Sequence, residues 1–349
     1  MMTSPRLRTK LLFWLLLGAL SVILAEVTSG SAYFPFTEPW GLLLTYPLYL
    51  LHTLVLALLI FRRKRVTLHS LFLAGAVFGM YEAYLTKVLW NPTWGDASVH
   101  ILGLVPVQTG VLVLYFHPLM AFTLPVMLGE QFLTGSRETT PIVDLRTENR
   151  RRLWLFALYA AYAGVAHGIN APDVGTSLLS SVIAGLVFAG LAVLWQRHSQ
   201  QQTYTLRELL PTGRQAVVVT AILLCSYVLE TFTIRPEALP TTLVPHLTVW
   251  VMYAVLFTLL WLNQRKSPPY EAPTSPEPVA VPWRRLALLW GIFTISGVAF
   301  VYLKPLGGII TLLGWAIGIA WGAWLAVSAA FSAIAGSIRD TKAADTYLL

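Results

Sequence analysis

Ten mostly apolar stretches, separated by short loops, run the length of the chain: 11–25, 41–61, 67–90, 109–130, 153–169, 176–195, 215–234, 246–263, 286–303 and 308–334. About 20 apolar residues in a helix cross a hydrocarbon layer roughly 30 Å thick. In lipid the backbone must satisfy its own polar groups, which a helix does within one segment. The spacing therefore predicts an all-α, polytopic helical membrane protein with about ten transmembrane helices. Only 11% of the 349 residues are charged and 56% are hydrophobic, whereas soluble domains carry about 25% charge. A soluble enzyme, a disordered chain and a disulfide scaffold are excluded. Cys225 is the sole cysteine, so no intrachain disulfide or cysteine metal site can form. No metal and no cofactor is expected. In the first stretch Arg6, Arg8 and Lys10 precede a short apolar core. That pattern also fits a signal peptide, but the polytopic remainder favours an uncleaved anchor helix.

The charges fix a predicted orientation. All but Lys87, Arg235 and Lys304 of the 24 Lys and Arg residues fall in alternate loops and the two tails. Basic loops stay in the cytoplasm, which places both termini inside a plasma or inner membrane. The basic excess thus reports topology and contact with the lipid bilayer and argues against a nucleic-acid partner. Trp40, Trp90, Trp94, Trp154, Trp195, Trp261 and Trp283 stand at predicted span ends, as an interfacial aromatic belt does. The longest loop, at 265–283, is rich in proline and reads as an extended cytoplasmic linker.

Arg151–Gly175 and Arg284–Gly308 both read R-R-L, ten residues, G-V-A, five residues, P, two residues, G. With Leu155 and Leu288 this makes nine identities in 25 positions without a gap. The correspondence extends backwards. His117 and His246 each precede a basic residue by 20 positions, and Glu82-x4-Lys87 matches Glu230-x4-Arg235. The spacing predicts a two-helix leader (1–66), a first four-helix repeat (67–200), a second in two pieces (201–264 and 284–336) and a cytoplasmic tail (337–349). The two quartets would be parallel, with sites favoured at their interface. The first copy carries extra residues between Lys87 and His117, including Asn91–Asp96 and His100. These read as an outer loop with a short re-entrant or interfacial segment.

Ionisable groups within a membrane are costly and mark candidate sites. Glu82 and Glu230 stand about 15 residues from their inner helix ends, or roughly 23 Å. The duplication suggests crossed pairs, Glu82 with Arg235 and Glu230 with Lys87. His117 and His246, at equivalent positions, could relay protons or simply pack. His167, Asn170 and Asp173 form an outer turn in the first copy only. The candidate polar site is therefore Glu82, Lys87, His117, His167, Asn170, Glu230, Arg235 and His246, all in the predicted outer half, where they suggest a vestibule open to the outside. Gly314, Gly318 and Gly322 form a stripe of small residues, expected to pack on a neighbouring helix and leaving room for a homo-oligomer contact.

The order Glu82-x4-Lys87, His117, His167-x2-Asn170 resembles that of the CAAX-protease-like membrane peptidases, which carry Glu-Glu-x3-Arg, then His, then His-x3-Asn/Asp. Here Ala83 stands in place of the second Glu, Lys87 in place of Arg, and the last spacing is one short. The resemblance covers about 90 residues and implies that Glu82 would activate a water while the histidines stabilise an oxyanion.

Three readings follow. The first is binding or transport of a small or lipidic solute from the outer side. The second is an intramembrane hydrolase with an outward-facing Glu/His site. The third is a non-catalytic membrane scaffold or subunit.

Overall fold

The structure is a computed structural model that describes residues 5–62, 64–94, 99–199, 203–270 and 281–346, with side chains described to 335. Every regular element among them is helical. In chain order these are α1 (Leu7–Val27), α2 (Gly41–Phe61), α3 (Leu68–Gly79), the short α4 (Tyr81–Tyr84), α5 (Pro106–Leu133), α6 (Arg150–Asn170), α7 (Val174–Ser199), the short α8 (Leu206–Leu209), α9 (Arg214–Thr233), α10 (Leu243–Lys266), α11 (Trp283–Tyr302) and α12 (Lys304–Thr346).

Eight helices among the described residues are long and apolar enough to cross a membrane, against the ten stretches in the sequence. The stretch at 67–90 breaks after Gly79 and leaves the helix at Leu85. The stretch at 153–169 lies in α6, a helix of 21 residues that opens with three arginines and ends in His167 and Asn170. α1 is longer than its apolar core because Thr9 and Lys10 are buried too. Lys10 donates to Leu210 O at 3.0 Å, Thr212 at 3.2 Å and Gln215 at 3.3 Å.

Residues 271–280 of the linker lie outside the described residues, as does Asp96. α12 runs on into the tail as far as Thr346. The segment between Lys87 and His117 holds no re-entrant helix among the described residues. Instead Ile101 and Leu104 bridge a tight turn through Leu102 and Gly103, both at positive φ. A Cβ on Gly103 would come within 2.3 Å of Pro245, so only glycine lets this turn seat on the start of α10.

The chain forms two compact units, each gathered from three segments. Unit 1 comprises 1–58, 124–223 and 272–317; unit 2 comprises 59–123, 224–271 and 318–349.

In unit 1, α6 and α11 pack along their length, and α11 and α1 both pack on α7. Lipid is as apolar as leucine, so close van der Waals contact must hold such helices together. Glycines supply it. A Cβ on Gly164 would lie 2.3 Å from Phe293 O, and one on Gly168 would lie 2.1 Å from Gly297 O. Ile23, Val27, Ala163, Ala184 and Phe293 close a small core beside this seam. On the loop side, the buried Glu130 carboxylate accepts Glu138 N–H at 2.7 Å and the Thr139 hydroxyl at 2.6 Å, which folds loop 134–149 back onto the end of α5.

In unit 2, α3 packs against both the first part of α5 and α10. Residues Gly110–Thr123 of α5 form wide i→i+5 turns that contain Pro118. Proline has no N–H to continue an ordinary helix, and such widened turns recur at functional positions. The glycine stripe of α12 is met within the chain. Gly314 faces Tyr162 in unit 1; in unit 2, Gly318 faces Tyr115 and Gly322 the carbonyl of Leu114.

Candidate functional site

Two glycines set the geometry of unit 2. A Cβ on Gly75 would come within 2.5 Å of Pro118 Cα, and one on Gly79 within 2.6 Å of Leu112 O. Lacking those atoms, α3 lets the widened turn of α5 approach backbone to backbone. That approach sets His117 against the α3–α4 junction, where Tyr81 and Glu82 stand.

His117 and Glu82 are buried and meet at 3.4 Å, Nε2 to Oε1. The Tyr81 hydroxyl lies 3.3 Å from the same nitrogen, and its ring stands edge-on to the imidazole at 5.1 Å. His117 Nδ1 faces Leu112 O at 3.2 Å. A carbonyl only accepts, so the network assigns the Nδ1 proton. The other Glu82 oxygen accepts the Thr86 hydroxyl, one helical turn on. Nε2 thus faces both the Tyr81 hydroxyl and Glu82 Oε1, and a proton placed between Nε2 and Oε1 can rest on either group.

Lys87 is fully buried and donates to Leu85 O at 3.1 Å, Glu230 O at 3.0 Å and Ile234 O. Arg235 donates to Thr86 O at 3.0 Å and Asn91 O at 2.9 Å, and approaches Glu237 at 4.0 Å. Both cations thus cross between the segments that follow α4 and α9, but to main-chain carbonyls. The expected Glu82–Arg235 ion pair gives way to Glu82 with His117 and Thr86, because the α4 turn directs the carboxylate toward α5. Glu230 is buried, and its carboxylate lies within Coulombic reach of Lys87. Tyr227 stands within Coulombic reach of Glu82 and Glu230, with its hydroxyl 3.5 Å from that of Tyr253.

His246 has a different setting from His117. Its Nε2 faces Pro240 O at 3.0 Å, so it carries that proton, and Nδ1 accepts the Tyr84 hydroxyl at 3.1 Å. Tyr84 and Trp90 wall the ring at 5.8 and 5.2 Å. A neutral imidazole satisfies every contact there.

His167 and Asn170 belong to unit 1. His167 is fully buried, with Nδ1 2.6 Å from Val27 O and Nε2 3.1 Å from Ser177 O. Asn170 donates to Ser29 O at 2.8 Å and Ala166 O at 3.2 Å. Their polar atoms tie the loop after α1 to the α6–α7 turn. In that turn Asp173 caps α7. It accepts Thr176 N–H at 2.8 Å and the Thr176 hydroxyl at 3.0 Å, which holds its carboxyl below the usual carboxylate range.

Sequence reasoning missed Tyr81, Thr86, Tyr227 and Tyr253, and in unit 1 Glu26, which accepts the Tyr49 hydroxyl. A signal existed for Thr86, which stands four positions after Glu82, the facing spacing on a helix. Gly75-x3-Gly79 was the corresponding signal for the close approach of α5.

Residues 15–339 match the model of a family described as "Uncharacterized membrane protein family". The chain is also 35% identical over 252 residues to a protein of Archaeoglobus fulgidus described as an uncharacterized protein, an alignment that covers 72% of this chain and 77% of that one. No solved structure matches. The match spans nearly the whole chain, from within α1 to the end of the last apolar span, and the chain belongs to this family of multi-pass membrane proteins.

Proposed function

We propose that unit 2 binds a small or lipidic solute in the extracytoplasmic half of a plasma or inner membrane and carries it, with a proton exchanged between Glu82 and His117. The 3.4 Å contact between these two buried groups carries the reading. A carboxylate and an imidazole are expensive in a membrane, and here they share one proton position with the Tyr81 hydroxyl beside it. Lys87, Glu230 and Arg235 make up the surrounding charge. The alternating basic loops support cytoplasmic termini. The same proposal includes an internal duplication. Its support is that Gly164 and Gly297, the glycines of the repeated Gly-Val-Ala, face each other, and that Lys87 and Arg235 occupy alike turns.

The test replaces Cys225 with alanine and places one cysteine at position 82, 117, 230 or 246. Intact cells and inverted vesicles are then treated with a membrane-impermeant thiol reagent. Labelling from both sides supports carriage. Labelling from outside alone favours the hydrolase reading, in which the same Glu82–His117 pair would activate water. No labelling at any position leaves the scaffold reading.

A further inference from the structure

Unit 1 holds a partly open cavity of about 190 Å³ that the chemistry of unit 2 does not use. Its walls come from α1, α5, α6, α7 and α11, and are almost wholly aliphatic and aromatic, with Leu20, Leu128, Ala163 and Phe188 among them. Thr28, Tyr159 and Arg285 are the polar residues on the lining, and the Thr28 hydroxyl already donates to its own helix at Leu24 O. Buried water needs two to four polar partners, and apolar cavities of about 150 Å³ stay dry and take up hydrocarbon. Such walls suit methylene groups.

Among the described residues, the one charged group on the lining is Arg285, at the start of α11. Its guanidinium lies over the Phe156 ring at 4.8 Å and, among the described residues, donates to Thr147 O at 3.1 Å. A guanidinium has five N–H donors in a fork suited to carboxylate and phosphate. Asp144 and Glu148 are the acidic groups within Coulombic reach of Arg285. Against these two acids, the first turns of α6 and α11 carry Arg150, Arg151, Arg152, Arg284 and Arg285. Among the described residues these two first turns are therefore cationic.

We propose that this cavity binds a linear hydrocarbon chain ending in an anionic head group, with the chain along α1, α6 and α7 and the head at Arg285. Both a free fatty acid and an anionic phospholipid have that chemistry. The site is independent of the reading given for unit 2.

The test uses the full-length protein in nanodiscs with three photoreactive probes: diazirine-tagged palmitate, the alcohol of the same chain, and phosphatidylglycerol tagged on one acyl chain. Cross-linked peptides are mapped by mass spectrometry. Labelling is expected on 20–28, 159–163 and 185–188, with excess unlabelled palmitate displacing it. R285Q is expected to lower labelling by the anionic probe about tenfold, on the scale of one charge-assisted hydrogen bond, and to leave the alcohol unchanged. A160F, which fills the cavity, is expected to abolish labelling by every probe while the melting temperature holds; if A160F does not fold, A163L replaces it. Labelling by phosphatidylglycerol alone identifies a bilayer lipid as the occupant, and labelling by palmitate alone identifies a free acid. Cross-links confined to other peptides, or an R285Q protein that keeps the wild-type preference for the anionic head, overturn the proposal.

Discussion

Lys87 and Arg235 each reach into the other's segment of chain: Lys87 donates to the carbonyl of Ile234, and Arg235 donates to the carbonyl of Thr86, the residue before Lys87. Both residues have left-handed backbones, with φ of 62° and 48°. That region costs an L-residue about 1–2 kcal/mol, so two such residues in corresponding positions are held there by what their side chains bond. The carbonyls at the ends of α4 and α9 lack partners within their own helices, and each cation caps the end that carries the other.

Lys87→Met keeps the length of the side chain and removes its donors. It leaves the carbonyls of Leu85 and Ile234 short of a partner, at roughly 1–3 kcal/mol for an unsatisfied buried group, while Glu230 O keeps the Ile234 N–H at 3.0 Å. Arg235 is half-exposed, so water can replace it, and Arg235→Gln is expected to lose less. Because the two caps close one junction, the double mutant should depart from additivity by about 0.5 kcal/mol or more. Thermal unfolding in detergent measures all three. A Lys87→Met protein as stable as the parent would mean that the crossed caps do not hold the junction.

How much of this was legible beforehand depended on the kind of information involved. The apolar stretches and the basic loops needed only period and composition, so the all-helical membrane architecture could be read directly. Glu82 and His117 stood out because ionisable groups are rare in such stretches. Their contact could not be read, because it depends on Gly75 and Gly79 admitting a widened α5 turn, and a sequence shows neither turn width nor helix approach. The crossed Glu82–Arg235 pair followed from the expected duplication, but it treated carboxylates as the natural partners of cations. Helix-end carbonyls compete well for the same donors, and at Lys87 and Arg235 they take them. His167 and Asn170 looked chemical because the similar segment at 297–308 is apolar at those positions, whereas their hydrogen bonds to Val27 and Ser29 are those of a loop anchor.

Glycine substitutions along α6, α7 and α11 should sort by space. Gly164→Ala and Gly168→Ala place a Cβ 2.3 and 2.1 Å from backbone carbonyls of α11, and backbone cannot move aside as a side chain can. About 1–3 kcal/mol of destabilisation is expected for each, the usual cost of overpacking. Gly190→Ala and Gly291→Ala meet nothing within 4 Å and should be neutral or gain up to about 1 kcal/mol in helix propensity. Equal effects at all four positions would mean that α6 and α11 do not pack through these glycines.

His117→Phe keeps the ring volume and removes the group that faces Glu82. Breaking a buried pair by removing one member costs about 3 kcal/mol, and Glu82 keeps the Thr86 hydroxyl, so this variant should melt below the parent. Adding Glu82→Gln removes the charge while keeping an acceptor for the Thr86 hydroxyl, and the double mutant is expected to recover most of the loss. If Glu82→Gln brings no recovery, Glu82 is not charged against His117, and the shared-proton reading of the pair fails with it.

Asp173 offers a test that depends on pH. The Thr176 N–H and then the Thr176 hydroxyl hold its carboxyl below the usual value of 3.8 in the folded chain. A lowered folded-state value means that the carboxylate contributes stability above 3.8 and loses it as pH falls through the lower value. Asparagine caps a helix about as well as aspartate but carries no charge toward the helix N-terminus and does not titrate. The wild type should therefore melt slightly above Asp173→Asn at neutral pH, with the gap closing below 3.8, while Asp173→Ala melts below both at neutral pH. Melting curves of the three proteins from neutral pH into the acid range decide it, and a wild-type advantage over Asp173→Asn that stays constant across that range would show that the carboxylate is not the cap of α7.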